Sequence, residues 1–224
     1  MPSQKYILAL LITAAIFGTA FYIATRFDAQ RLADIRTAQE TVSTDILSLE
    51  TQFELLGSLD CSALAENPVL SDELNSLASQ LSVAEQNLGA TNAAVVALKK
   101  QYSLLEIKDY ILMQQIGQKC SKLKPVYILY FYSNAGDCPE CGKMGDVFTY
   151  LRETYPGLRV YSFDYHLDLS ALRTLEVLRK IDEAKGLPAF MVNNRLPVYG
   201  FKNLQDTQKL IPELKSLATS SQAQ

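Results

Sequence analysis

Two cysteines separated by two residues are the clearest chemical signal in the sequence. Cys138 and Cys141 stand in the stretch DCPEC, shortly after the apolar run VYILYFY. Such a pair can form a redox-active disulfide, supply half of a zinc site, or act as a structural bridge. A structural zinc site needs about four Cys or His ligands, and only these two cluster in the sequence. We therefore predict a redox-active pair that uses neither a metal nor another cofactor.

The surroundings of the pair predict different roles for its two members. The sequence predicts a helix from about residue 140 to 153, with Cys138 at or just before its N-terminus, where the helix dipole favours a thiolate. Cys141 would lie one turn further in, on the same side of the helix. Cys138 is thus the predicted nucleophile and Cys141 the resolving thiol. Glu140 and Asp137 oppose thiolate formation by like-charge repulsion, which predicts a couple towards the reducing end.

The pair belongs to a predicted α/β segment in which strands and helices follow in the order βαβαββα. A parallel crossover pair comes first, and a closing antiparallel hairpin completes the sheet. The predicted strands are VYILYFYS, 158–164, 189–192 and 196–201, and the predicted helices are 140–153, 170–184 and 204–217. The remaining residues, 218–224, are predicted to be a disordered tail.

This order of elements, with a CxxC motif between the first strand and the first helix, resembles the thioredoxin-like superfamily. A second match is Leu187-Pro188 before the third strand, where the family carries a cis-proline beside its active-site disulfide. The resemblance covers residues 123–217. It implies a protein-disulfide oxidoreductase whose substrates are protein thiols or disulfides and whose Leu187 and Pro188 contact the substrate. Pro-Glu between the cysteines departs from the commoner dipeptides of the family.

Residues 29–122 are predicted to form an all-α module of the helical-hairpin or coiled-coil type. Apolar residues recur at alternating spacings of three and four along the segments 32–56, 70–88 and 93–116, a pattern that also allows self-association. Gly89 and Asn92 favour a reversal between the second and third segments, as a C-terminal and an N-terminal cap. Because the apolar repeat crosses this point without a slip, one long helix is the alternative.

The remaining two cysteines test this layout. Three helices running up, down and up would bring Cys61 and Cys120 together, whereas a continuous helix would hold them roughly 70 Å apart. We predict a structural disulfide between Cys61 and Cys120. The alternative is a partner disulfide that exchanges with Cys138.

The N-terminus carries a segment long enough to cross a bilayer. Residues 6–24 contain no charged side chain, and about 20 apolar helical residues span about 30 Å of hydrocarbon. We predict an uncleaved anchor within residues 1–28; a cleaved signal peptide is the alternative. An even number of cysteines, four, fits an oxidising compartment, so the C-terminal domain is predicted to lie on the extracytoplasmic side of the cell membrane.

Composition excludes some functions. The net charge is −3 and the lysines and arginines form no basic block, which speaks against nucleic acid as a partner. The single histidine, His166, is interpreted as a solvated loop residue. The alternative to an enzyme is a non-enzymatic, membrane-tethered interaction protein in which the helical module binds partners.

Overall fold

The computed structural model describes residues 13–14, 17–19, 47–48, 50–61, 70–120 and 124–221. Most of the predicted anchor and most of the first helical segment lie outside these residues; the described residues 13–14, 17–19 and 47–48 are helical. None of the helices in the described ranges is long and apolar enough to cross a membrane. The chain divides into two compact units, Met1–Ser48 and Leu49–Gln224, and the elements below all belong to the second.

Three helices come first in this unit. Helix α1 covers residues 50–58 and is followed by α2 (Leu70–Leu88) and α3 (Ala93–Lys119). Gly89 has a φ of +86°, a conformation that favours glycine, and the Asn92 side chain accepts a hydrogen bond from Ala94 N–H. The predicted reversal is confirmed, and the single long helix is wrong.

Four strands form a mixed sheet in the order β2-β1-β3-β4. They are β1 (Val126–Tyr132), β2 (Leu158–Asp164), β3 (Ala189–Val192) and β4 (Val198–Tyr199). Strands β1 and β2 are parallel, whereas β1–β3 and β3–β4 are antiparallel. The predicted α/β class, with a parallel first pair of strands and a closing antiparallel hairpin, is confirmed. Strand β4 is shorter than predicted because Pro197 has no N–H to donate and Gly200 adopts a φ of +74°.

The helices of the α/β part depart from prediction at their ends. Helix α4 is Cys141–Thr154 and α5 is Ser170–Arg179; α5 stops five residues early because Lys180 takes a left-handed φ of 56°. A 3₁₀ helix (Glu183–Lys185) follows. The predicted last helix is two helices, α6 (Leu204–Leu210) and α7 (Leu214–Ser221), because Pro212 interrupts the backbone hydrogen bonds. Helix α7 extends four residues into the segment 218–224 predicted to be disordered.

The two faces of β1 have different neighbours, because successive side chains point to opposite sides of a strand. On one face lies an apolar core with residues of α4, β3 and the last helices: Val126, Ile128, Tyr130, Met144, Phe148, Leu151, Phe190, Ile211 and Leu214. On the other face Tyr127 packs edge-on against Tyr110 of α3, with ring centres 5.3 Å apart. The core therefore holds the start of α4 firmly against the middle of the sheet.

Helix α3 covers the outer edge of the sheet. Strand β2 is an edge strand, and its Ser162 N–H donates to Glu106 Oε1 of α3 at 2.9 Å. Lys99 Nζ, 3% exposed as a residue, lies 3.2 Å from Asp164 Oδ2 and 2.6 Å from Glu85 of α2. An uncovered edge strand offers unpaired backbone groups to other chains. The polar face of α3 satisfies part of that edge, so α3 packs on the sheet itself. The predicted boundary between a helical module and an α/β domain remains a prediction.

Candidate redox site at the start of helix α4

The two cysteines of the CxxC motif form a disulfide at the junction of β1 and α4. Cys138 Sγ and Cys141 Sγ are 1.96 Å apart and their Cα atoms are 5.4 Å apart. Strand β1 ends at Tyr132, the loop 133–137 follows, and Cys141 is the first residue of α4. A turn at residues 139–140 closes the motif, with Cys141 N–H donating to Cys138 O at 3.3 Å. Pro139 is compatible with this turn because it carries no amide N–H that would need a partner.

Access to the two sulfur-bearing residues differs. Cys141 is 6% exposed, whereas Cys138 is half-buried. Glu140 is the N-cap residue of α4, and its side chain makes no capping hydrogen bond. The first amide groups of a helix have no partner within the helix, and here no N-cap side chain competes for them. They are therefore able to stabilise negative charge on a Cys138 thiolate.

Tyr130 ties the start of α4 to the sheet. Its hydroxyl, on the core face of β1, donates to Cys141 O at 2.6 Å. Burial, with a smaller contribution from the charge of Asp146, raises the pKa of Tyr130 well above its usual value, so the phenol stays protonated as a donor. The sequence pattern did not predict this role of Tyr130. The aromatic composition of the strand gave no sign of this hydrogen bond.

Asp137, next to Cys138, is part of a polar cluster. His166 Nε2 lies 3.0 Å from Asp137 Oδ2 and 3.3 Å from Glu183 Oε1. Hydrogen bonds, first from Ser133 and then from His166, hold the pKa of Asp137 below its usual value. His166 is exposed, as predicted for a loop residue, but it has two charged partners. Asp137 and His166 follow the C-terminal ends of adjacent parallel strands, and this position is the sequence signal that could have paired them.

The same three side chains are the ones near the motif that could hold a metal ion. One potential ligand atom from each of Asp137, His166 and Glu183 lies within 4.8 Å of the others. One imidazole and two carboxylates suit a divalent cation such as Zn²⁺. All three residues are exposed, and the two cysteine sulfurs are bonded to each other. The redox chemistry of the pair needs no such ion.

Leu187 and Pro188 lie at the same end of the sheet as the motif. The Leu187–Pro188 peptide bond is cis, and the next residue, Ala189, pairs with Phe131 near the end of β1. Pro188 O accepts a hydrogen bond from Gly200 N–H at 2.8 Å. The backbone of Leu187 makes no hydrogen bond to any other described residue. The backbone N–H and C=O groups of Leu187 are therefore free to hydrogen-bond with another strand at this end of the sheet.

The second pair of cysteines lies at the other end of β1. Cys61 and Cys120 form a disulfide with a Cα–Cα distance of 5.6 Å, which links the end of α1 to the end of α3. Cys120 directly follows α3, whose Gly117 approaches Pro125 at the start of β1. The seven residues of β1 measure about 20 Å at ~3.3 Å per residue. The structure thus keeps the Cys61–Cys120 bridge away from Cys138, which argues against exchange between them within one chain.

The mixed sheet with a CxxC disulfide is compatible with a thioredoxin-like fold and with redox activity. Comparisons of the chain with protein-family models, with curated proteins and with solved structures found no match.

Proposed function

We propose that this protein is a thiol–disulfide oxidoreductase of the thioredoxin-like type, anchored in a membrane by its N-terminal segment. Its substrates are protein thiols or disulfides. The observation that carries the proposal is the asymmetry of the disulfide: Cys138 is accessible before an uncapped helix N-terminus, and Cys141 is buried behind it. Attack on an incoming disulfide requires an accessible thiolate, and release requires a second thiol that the substrate does not reach.

The reaction is an exchange of one disulfide for another. In the reducing direction, the Cys138 thiolate attacks one sulfur of a substrate disulfide, and the other substrate sulfur leaves as a thiolate that takes up a proton. The Cys141 thiol, after losing its proton, attacks Cys138 Sγ and expels the second substrate sulfur. Two electrons and two protons pass to the substrate, and the Cys138–Cys141 disulfide is formed. The same steps in reverse oxidise a substrate dithiol.

Chain entropy supports a redox role for the short bridge. A disulfide stabilises a fold mainly by restricting the unfolded chain, and the effect grows with loop length. The Cys61–Cys120 bridge has a sequence separation of 59 residues, which corresponds to about 4 kcal/mol in that model. The separation of Cys138 and Cys141 is 3, which corresponds to about half as much. The Cys61–Cys120 bridge is therefore suited to stabilising the fold, whereas the Cys138–Cys141 bridge contributes less to stability and can be opened at a lower cost.

Leu187 and Pro188 are the proposed substrate contacts. The unpaired backbone of Leu187 offers a donor and an acceptor to an extended peptide, as an added strand does at a sheet edge. Leu187 lies just before β3, at the end of the sheet that carries the motif. This position favours a substrate peptide lying beside Cys138.

Insulin reduction by dithiothreitol tests the enzymatic proposal. We expect the wild-type chain to accelerate the reaction and Cys138→Ser to abolish the acceleration. Cys141→Ser should abolish turnover but accumulate a covalent mixed disulfide between Cys138 and an insulin chain, because the resolving thiol is missing. The double variant Cys61→Ser/Cys120→Ser, tested at a temperature where it is folded, is the matched control and should remain active. Equal rates for wild type and Cys138→Ser would favour the non-enzymatic interaction protein.

The proposed location is a membrane, with the redox unit on the extracytoplasmic side. We expect the chain to remain in the membrane pellet after extraction with alkaline carbonate, because residues 6–24 carry no charged side chain. Protease added to sealed, right-side-out vesicles should degrade the part that contains Cys138. N-terminal sequencing of the mature chain distinguishes an uncleaved anchor from a cleaved signal peptide. Release by carbonate with an intact N-terminus would contradict the anchor.

A further inference from the structure

A cavity of about 250 Å³ lies between α2, α3 and β2, away from the redox pair. Leu74 of α2 and Leu158 and Val160 of β2 provide apolar walls. Its polar lining includes Glu106 and Asp109, one turn apart on α3. The cavity borders the first half of β2 and the last turn of α4, whereas Cys138 precedes the first turn of α4. It is therefore a separate feature of the molecule.

The carboxyl groups of the cavity are buried, and not all of their oxygen atoms have a hydrogen-bond partner. Glu106 is 2% exposed and Asp109 is 0% exposed. Glu106 Oε1 accepts from Ser162 N–H, and Asp109 Oδ2 accepts from Tyr161 at 2.6 Å and from Arg159 at 3.0 Å. Tyr102, which also lines the cavity, is hydrogen-bonded to Glu106, whereas Asp109 Oδ1 has no hydrogen-bond partner among the described residues. Buried polar groups are almost always hydrogen-bonded, so this unmet acceptor indicates a missing donor.

The outer part of the cavity carries the opposite charge. Arg152 lines it and is half-buried; its charge acts on Glu106, but its guanidinium forms no direct salt bridge with a carboxylate of the described residues. Exposed residues, Asn75 and Pro156, also line the cavity and mark the side that is open to solvent. The cavity thus has a positive charge, that of Arg152, near its opening and two carboxyl groups, those of Glu106 and Asp109, in its buried part.

We propose that this cavity binds a small zwitterion with a primary ammonium group, of the size of a free amino acid. An ammonium has three N–H donors, enough to satisfy Asp109 Oδ1 and to donate to Glu106 beside Tyr102. A carboxylate at the other end of the ligand would pair with Arg152 in a charge-assisted hydrogen bond. Cavities for drug-sized ligands measure about 300–1,000 Å³, so this cavity suits a smaller molecule. The site would act independently of the proposed redox function.

The electrostatics of the cavity agree with a cationic guest. Burial is the largest effect and raises the pKa of both carboxyl groups. It outweighs the hydrogen bonds from Ser162 and Tyr102 at Glu106 and the contacts with Arg159 and Tyr161 at Asp109. A bound ammonium would favour the ionised carboxylates and offset this cost of burial. Ligand binding is therefore expected to release protons.

Titration calorimetry of the full chain in its oxidised form tests the site. The probes are the twenty common amino acids, with methylammonium and acetate as the separated halves of a zwitterion. We expect at least one amino acid to bind with a Kd below about 1 mM, and methylammonium and acetate to bind at least about tenfold more weakly. The Glu106→Gln variant keeps an acceptor for Ser162 N–H but loses the charge, and should weaken binding at least about tenfold. Arg152→Met should do the same.

The controls separate a bound ligand from a hydrated cavity. Glu153→Gln changes an exposed carboxylate next to Arg152 in sequence and should leave the affinity unchanged. Near-ultraviolet circular dichroism of the tyrosines checks that each variant is folded. The absence of any binding at 10 mM amino acid, or an affinity that Glu106→Gln and Arg152→Met leave unaltered, would overturn the proposal. If methylammonium bound as tightly as the best amino acid, the proposal that the ligand is a zwitterion would be wrong. None of these results bears on insulin reduction, which is measured separately.

Discussion

Cys138 and Cys141 are three residues apart and have different surroundings. Cys138 follows Asp137, whose carboxylate pairs with His166 from the loop after β2. Cys141 begins α4, is 6% exposed, and its carbonyl accepts a hydrogen bond from Tyr130. The fixed side of the bridge is thus the inner one. In a mixed disulfide, the substrate would be attached to the outer sulfur while the inner one stays in place to attack it. The division of roles between the two thiols follows from this difference in burial.

Glu140 should control how readily Cys138 ionises. It is exposed, lies between the two cysteines and makes no capping hydrogen bond, so its charge repels a neighbouring thiolate. Surface charges at a helix terminus act with about 0.3–1 kcal/mol. In the reduced protein, Glu140→Gln should therefore raise the rate at which Cys138 reacts with iodoacetamide at neutral pH by about twofold to fivefold.

A matched substitution at the far end of the same helix isolates this effect. Glu153 is also exposed and lies in the last turn of α4, more than a dozen residues from Cys138. Glu153→Gln should leave the alkylation rate of Cys138 unchanged in 0.15 M salt, because charges further apart than about 8 Å are largely screened there. A similar change in both variants would mean that net charge, and not the position of Glu140, sets the reactivity.

The chemistry of the pair could be predicted from sequence because it is local. Two cysteines on either side of Pro139-Glu140, between an apolar run and an amphipathic one, already specify a strand, a turn and a helix start. The partners of the pair are distant in sequence: His166 is 29 residues from Asp137 and Glu183 is further still. The hydrogen bond from Tyr130 depends on the register of β1 against α4. Such contacts depend on tertiary packing, which the local pattern does not contain.

At the scale of elements, the strands were predictable where turns bound them on both sides. Strand β2 follows Pro156-Gly157 and β3 ends before Asn193-Asn194, and both have the predicted limits. Helix ends were less predictable. Lys180 ends α5 with a left-handed backbone, which is uncommon for a lysine, and its backbone N–H bonds to Glu176 and Val177 carbonyls. Pro212 was visible in the sequence and should have divided the last helix.

Helix α5 carries a carboxyl group that should make stability depend on pH. Burial raises the pKa of Glu176 to about 7, and the residue is 7% exposed. Between its usual pKa near 4.5 and about 7, the folded protein holds this proton more tightly than the unfolded chain. The free energy of unfolding therefore falls as pH rises through that window. Glu176→Gln should remove the penalty and stabilise the protein by about 1–3 kcal/mol at pH 8, but little at pH 4.5.

Urea unfolding at the two pH values measures this difference. The chain contains 12 tyrosines and no tryptophan, so the near-ultraviolet circular dichroism of tyrosine is the appropriate signal. Glu54→Gln, at an exposed position of α1, is the control and should shift neither midpoint by much. If Glu176→Gln gave the same stabilisation at pH 4.5 as at pH 8, the gain would come from packing and not from ionisation.

At the scale of the whole unit, the helices before the sheet supply hydrogen-bond and charge partners for its edge strand β2. Helix α3 presents three buried charged side chains to β2: Lys99, Glu106 and Asp109. The apolar repeat of α3 predicted a helix but not this polar face, since a buried charge is understandable only with its partner present. One end of β1 leads to the CxxC disulfide, and the other end receives the bridge that joins α1 to α3. The two disulfides therefore have separate surroundings.

This separation predicts that the two bridges are reduced independently. Each bridge joins a half-buried cysteine, Cys61 or Cys138, to a buried one, so burial alone does not distinguish them. Cys138 differs because it directly precedes the N-terminal end of α4, where the helix dipole stabilises a thiolate and so makes it a better leaving group. During reduction by low concentrations of dithiothreitol, alkylation followed by peptide mass spectrometry should find Cys138 and Cys141 labelled at least about tenfold faster than the other pair. In the variant Cys138→Ser/Cys141→Ser, dithiothreitol should reduce the Cys61–Cys120 bridge at the wild-type rate, because no sulfur of the CxxC motif lies near that bridge within one chain. A slower reduction of Cys61–Cys120 in that variant would show that electrons pass between the two bridges, and the first would then be more than a staple.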